Sequence, residues 1–426
     1  MTSCHYTKPQ QMCADLLCSI LILQLISTHA LTNTKWQPLP HIHRRDLLIS
    51  LPSLATTTLF SPLPSTATVT TSAPPLAPRS INSVQSHLSI PVWPSWAGGK
   101  VTPISTLQDP FLLLAHHDHW FDPRDPFREP FKSFGKATGL PYIDVEGFSM
   151  HPHRGFDILT YVLDGSDGFR HRDSLGGGEG IGHERVYRGG SAQWMRTGAG
   201  VLHEEYWETR DDRRTNIELF QLWVNLPSAN KFDAPAVEYL GRDTDYGWVE
   251  EDIVDVATSS ALMGSVRDVT ATVDVATSSN PGVMARPPIR VLHVKINPGG
   301  EWFTAVPRSH TVTMYVRKGT ALLPAISASG DDNMIPVVKS QQTANFASDG
   351  DSISIRNASS KKEGILDLLL LVGEPLKEPV AQYGPIVMNT VNELRDAYNQ
   401  LEDGTFLDRN IALRQQALTS KYAGRG

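Results

Sequence analysis

From about Arg79 onward the chain is written in short apolar runs separated by Gly-, Pro- and Asp-rich breaks. FLLLAHH (111–117), DILTYVLDG (157–165), SAQWMRTGAG (191–200) and LFQLWVNLP (219–227) are the clearest. Such β-branched and aromatic runs, bounded by turn residues, predict an antiparallel sandwich or barrel rather than βαβ units. One hairpin is written twice, since Thr160–Gly165 (TYVLDG) aligns with Met314–Gly319 (MYVRKG). Further strands follow the second copy, in Ile353-Ser354-Ile355 after an Asp349-Gly350-Asp351 turn and in ILDLLLLV (365–372). The expectation is an all-β fold of two antiparallel β-barrels of jelly-roll type. Thr390 and Glu393 then form a capping-box pattern, with Val391, Leu394, Tyr398 and Leu401 at helical spacing. That predicts a C-terminal helix laying one stripe on the barrel. Between the copies VDVATSS occurs at 254–260 and again at 273–279, and reads as a duplicated surface loop.

The start of the chain breaks this pattern. Ala14–Ile26 is a short apolar stretch followed by small residues, like the core of a signal peptide. Arg44-Arg45, the mildly apolar LLISLPSLATTTLF and Ser65-Thr66-Ala67 come next, in the order of a twin-arginine signal. Together they predict a multi-part plastid presequence over 1–78, with the thylakoid lumen as one destination; a single secretory signal before a Ser/Pro linker is the alternative. The predicted division is then a first barrel over 79–230, a linker or insertion over 231–285, and a second barrel with the C-terminal helix over 286–426. No later stretch is long and apolar enough for a membrane helix. The formal net charge of −7 argues against a dedicated nucleic-acid binder. The only cysteines are Cys4, Cys13 and Cys18, so a processed chain has no thiol for a disulfide, a nucleophile or a thiolate metal site.

Histidine and carboxylate are therefore the candidate chemistry. In Met150-His151-Pro152-His153 the two histidines share one face of an extended chain, as do His203 and Glu205 in His203-Glu204-Glu205. Two such dyads on strands facing across a barrel would offer three imidazoles and one carboxylate, leaving two positions open on an octahedral ion. Pro152 cannot donate to a ladder and suits an edge or a bulge. Counted back from Gly319 as from Gly165, the second copy carries Ala305 and Pro307 where the first carries His151 and His153. One barrel is thus expected to be functional and the other structural. The HHDHW group (His116, His117, His119) offers a weaker second site against an entrance-lining role. His171 and His183 flank a Gly-rich stretch (175–182) that lacks the Lys-Ser/Thr of a phosphate loop.

DPFLLL (109–114), HPHRGFD (151–157), TYVLDG (160–165), HRDSLGG (171–177), AQWMRTGAGVLHEE (192–205), FQLWVNLP (220–227) and GEPLKEPVAQYGPIVMNT (373–390) resemble the pirin family of bicupins. The resemblance runs from about Arg79 to the C-terminus, with apparent insertions near 119–148 and 250–285. It implies one Fe(II) held by His151, His153, His203 and Glu205, with Asp157 near the site but not on the metal. Donors without sulfur suit several first-row metals, and the resemblance tips the choice to iron. It implies two functions. One is a quercetin 2,3-dioxygenase-like reaction on a flat phenolic substrate with O2, in which Glu205 is the base. Phe148, Phe156, His171, Trp194 and Met195 would then line the pocket. The other is an iron-dependent, redox-sensing regulator acting through a protein partner, without direct nucleic-acid or membrane contact. The chain is expected to act as a monomer.

Overall fold

The structure, a computed structural model, describes residues 76–92, 97–130, 133, 147–175, 184–242, 249–254, 262–269, 288–324 and 336–409. The presequence through residue 75, His183 with most of the Gly-rich stretch, and all of the VDVATSS tandem except Val254 lie outside them. Strands come first as β1 (Ile81–Ser86), β2 (Ile90–Pro91), β3 (Ala97–Ile104), β4 (Phe111–Phe121), β5 (Gly147–His153) and β6 (Phe156–Val162). β7 (Phe169–Asp173), β8 (Glu184–Tyr187), β9 (Ser191–Arg196), β10 (Val201–Trp207), β11 (Thr215–Asn225) and β12 (Ala236–Gly241) follow. The second half holds β13 (Val249–Val254), β14 (Leu262–Asp268), β15 (Ile289–Ile296), β16 (Glu301–Ala305), β17 (Thr311–Lys318) and β18 (Thr320–Leu322). It ends with β19 (Val337–Lys339), β20 (Gln342–Phe346), β21 (Ser352–Asn357), β22 (Leu366–Gly373), β23 (Ala381–Tyr383), β24 (Ile386–Met388) and a helix at Val391–Glu402.

These strands build the same object twice. A seven-stranded sheet ordered β12-β9-β6-β11-β4-β3-β2 faces a four-stranded sheet ordered β5-β10-β7-β8. The second barrel repeats this with β1-β20-β17-β22-β15-β14-β13 and β16-β21-β18-β19. The duplicated motif is recovered at residue level. Tyr161 lies opposite Phe220 on β11, as Tyr315 lies opposite Leu369 on β22. The turn glycines Gly165 and Gly319 both take positive φ (85° and 88°), where a side chain would be strained.

Sheet membership departs from the predicted division in three places. β1 pairs with β20 of the second barrel, β12 extends the first through β9, and β13–β14 extend the second through β15. The physical reason is that an edge strand's backbone groups pair with whatever strand lies alongside, so side-chain pattern does not say which barrel it joins.

β6 is buried on both faces, which is why it reads as one continuous apolar run rather than an alternation. Phe156, Ile158 and Val162 belong to clusters inside the first barrel, while Leu159 and Tyr161 join a cluster shared with Val291, Tyr315, Leu369 and Leu371 of the second. The seam between the barrels also carries a polar network with pseudo-twofold symmetry. His116 Nδ1 lies 2.9 Å from the Tyr315 hydroxyl, and His293 Nδ1 lies 2.8 Å from the Tyr161 hydroxyl. Arg317 donates twice to Glu218 at 2.6 Å and once to Asp367 at 2.7 Å. Burial opposes charge on Glu218, yet the donors His116 and Arg317 hold its carboxyl well below the usual range. Arg317→Met removes the cation shared by the half-buried Glu218 and the buried Asp367 and is expected to cost about 2–4 kcal/mol in urea unfolding, below the loss of a fully buried pair.

The interiors differ. The second barrel is filled by Val306, Val312, Met314, Ile353, Ile355, Leu368 and Leu370. The first buries His117, His119, His151, His153, His171, His203, Glu205 and Gln193. The C-terminal helix starts with the expected capping box at Thr390 and Glu393. Leu394, Tyr398 and Leu401 pack toward Leu202, Ile386 and Met388, but Val391 is exposed, because it precedes the stripe by one turn at the open end.

Candidate metal centre

β5 is the edge of its sheet and pairs antiparallel with β10, setting His203 opposite His151 and Val201 opposite His153. The two dyads therefore stand side by side in one sheet, not across the barrel as their spacing suggested. The edge position accommodates Pro152, which has no N–H to give. Between His203 and Glu205 the register slips, so Glu205 lies opposite Phe148 and β5 carries an extra residue there.

Three imidazoles converge. One ring nitrogen from each of His151, His153 and His203 lies within 4.8 Å of the others, and the two Nε2 atoms of His203 and His151 are 2.9 Å apart. All three rings are buried. Burial pushes the His153 and His203 imidazoles well below the ordinary value, and neighbouring imidazoles push the same way. They are neutral at pH 7, the form that ligates. Their remote nitrogens are also held. His203 Nδ1 is 3.1 Å from His171 Nε2, and His153 Nδ1 donates to the Pro385 carbonyl at 3.2 Å. His171 in turn has Nδ1 3.4 Å from the Tyr239 hydroxyl and 3.6 Å from Asp173 Oδ2. Such outer contacts select the tautomer and aim of a metal-binding imidazole.

Glu205 points inward from β10 but is not within the convergent trio. Its Oε2 accepts from Gln221 Nε2 at 3.1 Å and its Oε1 from Thr160 Oγ1 at 3.4 Å. Burial dominates these donors and pushes its carboxyl up to about 7. Glu204 points outward to Arg172, 2.7 Å away, as the alternation predicts.

The remaining candidates separate by face. Phe148 stands edge-on to His151 (6.3 Å between ring centroids), and Phe156 edge-on to His153 (5.4 Å). Met195 joins Phe156, Val201 and Trp223 in one apolar cluster beside the trio. Trp194 does not belong to this wall: it packs in the seam between the barrels and donates to Asp157 at 3.2 Å. Neighbours on one strand face opposite ways, so Trp194 and Met195 could not both line one pocket. Asp157 thus anchors an indole. His116 lies in the seam, while His117 and His119 point into the first barrel, 3.0 Å apart at Nδ1 and Nε2 and beside Trp207. Among the described residues, His151, His153 and His203 are the one group of three or more acidic, Cys or His side chains so converged. Gln221 and Trp223 had a signal in the alternation of FQLWVNLP; Pro385 contributes only a backbone carbonyl and had none.

The donor set fits a first-row divalent ion: three imidazole nitrogens share one buried point, with a carboxyl from the same strand as His203 nearby in sequence. The pirin family model matches residues 105–224, and the model of the pirin C-terminal cupin domain matches 291–407. A Pseudomonas aeruginosa protein named "Putative quercetin 2,3-dioxygenase" is 31% identical over 299 residues, 70% of this chain and 86% of that one. The chain belongs to the pirin family. Human pirin is 30% identical over 59% of this chain and 74% of its own. Among solved structures, quercetin 2,3-dioxygenase from Acinetobacter baumannii shares the bicupin fold at a TM-score of 0.55 and 24% identity, covering 78% of this chain and 99% of that one. In this pirin, then, the first cupin carries the imidazole trio and the second an apolar core.

Proposed function

We propose that this pirin is an Fe(II)-dependent dioxygenase acting on a flat phenolic substrate in the manner of quercetin 2,3-dioxygenase. The observation that carries the reading is the buried imidazole trio with the buried Glu205 carboxyl two residues along β10 from His203. Relatives named for that reaction supply the substrate class. His151, His153, His203 and Glu205 are the residues that would hold the metal. When bound, it would supply Lewis acidity and open positions for substrate and O2.

The chain's own groups account for the rest. Thr160 and Gln221 fix the Glu205 carboxylate, which takes the proton of a phenolic hydroxyl brought to this face. Phe148, Phe156 and Trp223 give the aromatic surfaces against which a planar ring system would lie. His171 keeps the His203 ring in place through its remote nitrogen.

The test is to load the protein anaerobically with iron and mix it with quercetin and O2. The flavonol band is expected to disappear with one CO released per O2 consumed, and His151→Ala to abolish this. No turnover would overturn the enzymatic reading and favour a redox-dependent partner protein. Glu205→Gln is expected to slow the reaction about 10²–10⁴-fold, the usual worth of a positioned base. We further propose that the mature chain works in a plastid, on the strength of the apolar and twin-arginine segments at its start. Residues 1–78 fused to a fluorescent protein should carry it there, and cytosolic or secreted fluorescence would refute the address.

A further inference from the structure

We infer that the C-terminal segment from β23 through the helix is a positioning strap for the metal centre: it fixes which nitrogen of His153 faces the ion. The inference rests on the metal reading of the trio. After β22 the chain leaves the second barrel and runs back to the first, where it docks on the turn between β5 and β6. His153 Nδ1 meets the Pro385 carbonyl at 3.2 Å, and Val387 N donates to the Arg154 carbonyl at 3.0 Å. A carbonyl oxygen only accepts, so the contact places the proton on Nδ1 and leaves the Nε2 lone pair for a metal.

The two residues that follow the histidines in HPHRG serve this docking. Arg154 is buried, and its guanidinium donates to Ala199 O at 2.8 Å, to Gln400 Oε1 on the helix at 2.8 Å and to Phe406 O at 2.7 Å. Gly155 has a φ of 87°, and a Cβ there would lie 1.9 Å from the Val387 carbonyl oxygen. No side chain fits at 155 while the strap is seated. Lys231 closes the clamp from the other side. Buried to 1% exposure, it donates from Nζ to Gly155 O at 2.9 Å, to Val387 O at 3.1 Å and to Asn225 Oδ1 at 2.8 Å. One ammonium thereby joins the turn beside His153 to β24, which directly follows the Pro385 carbonyl. A segment present only for packing would not need the Pro385 carbonyl on the ligand ring itself.

The experiment uses the full chain with Zn(II) as a diamagnetic probe, in wild type, Gly155→Ala, Lys231→Met and His203→Ala. Affinity is read by competition with a chelator. The His153 Nδ1 proton is followed by NMR of the protein with ¹⁵N-labelled histidine. Both strap variants are expected to bind Zn(II) at least about tenfold more weakly, as outer-contact changes do. The slowly exchanging Nδ1 proton of His153 should also lose its protection in both. Lys231→Met keeps the test open if the backbone at 155 does not tolerate alanine. Folded strap variants that bind as tightly as wild type, with that proton still protected, would overturn the strap. If wild type bound no better than His203→Ala, the metal reading would fall and the strap's role with it.

Discussion

His203→Ala in the full chain is expected to lower divalent-metal affinity by more than about a hundredfold while the β-sheet spectrum stays unchanged. His203 is fully buried, has the short 2.9 Å contact to His151 and stands between His151 and its outer partner His171. Losing it removes a donor outright, a larger loss than the 10–100-fold typical of changes one shell out. His171→Ala leaves all three donors in place and releases only the remote nitrogen of His203. It should fall inside that smaller range. Metal titrations of the two variants, run together, give the ordering. An equal loss, or none in His203→Ala, would mean that these rings do not share an ion.

Metal-free protein is expected to lose stability steeply as pH falls below about 6.5. Burial holds the His117, His153 and His203 imidazoles well below their ordinary value and His119 at about 3. A base whose pKa is depressed on folding binds fewer protons folded than unfolded. The unfolded chain therefore gains protons first, and each such histidine withdraws about 1 kcal/mol over the first pH unit below 6.5 and about 1.4 kcal/mol per unit further down. Glu205 works in the opposite direction. Its folded pKa is raised to about 7, so between there and about 4.5 the folded state holds the extra proton and gains as pH falls. One carboxyl offsets about one imidazole, leaving a net loss of about 3 kcal/mol between pH 6.5 and 5.5. Bound metal should raise stability at every pH without flattening this slope, because the folded rings bind no proton with or without it. It should steepen the slope where Glu205 gives up its proton to the ion. Urea unfolding at pH 7.5, 6.5 and 5.5, with and without metal, reads it directly. A metal-free stability that does not fall between pH 6.5 and 5.5 would show that the buried rings are not held neutral.

How much of this was legible beforehand depended on whether a side chain carried the information. The barrels were readable because β6 and β22 are buried on both faces and leave unbroken apolar runs. The doubled TYVLDG and MYVRKG segments were readable because both need a tyrosine in the seam and a glycine in the turn. HPH and HEE were readable because strand alternation puts two donors on one face. What stayed hidden was relative placement. Alternation cannot say that β5 and β10 are neighbours rather than opposites, nor that β1 crosses into the second barrel. Trp194 was misplaced because an aromatic on a doubly buried strand has two interiors to choose from. Pro385 and the backbone it offers to His153 were beyond reach, since a carbonyl leaves no trace in residue identity.

The claim on which the account depends is that His151, His153 and His203 hold one metal ion. X-ray absorption spectroscopy on iron-reconstituted protein, paired with elemental analysis, measures it most directly. The account predicts one iron per chain with scattering from three imidazole rings, falling to two in His203→Ala. Substoichiometric metal, or an imidazole count that the substitution leaves unchanged, would contradict it.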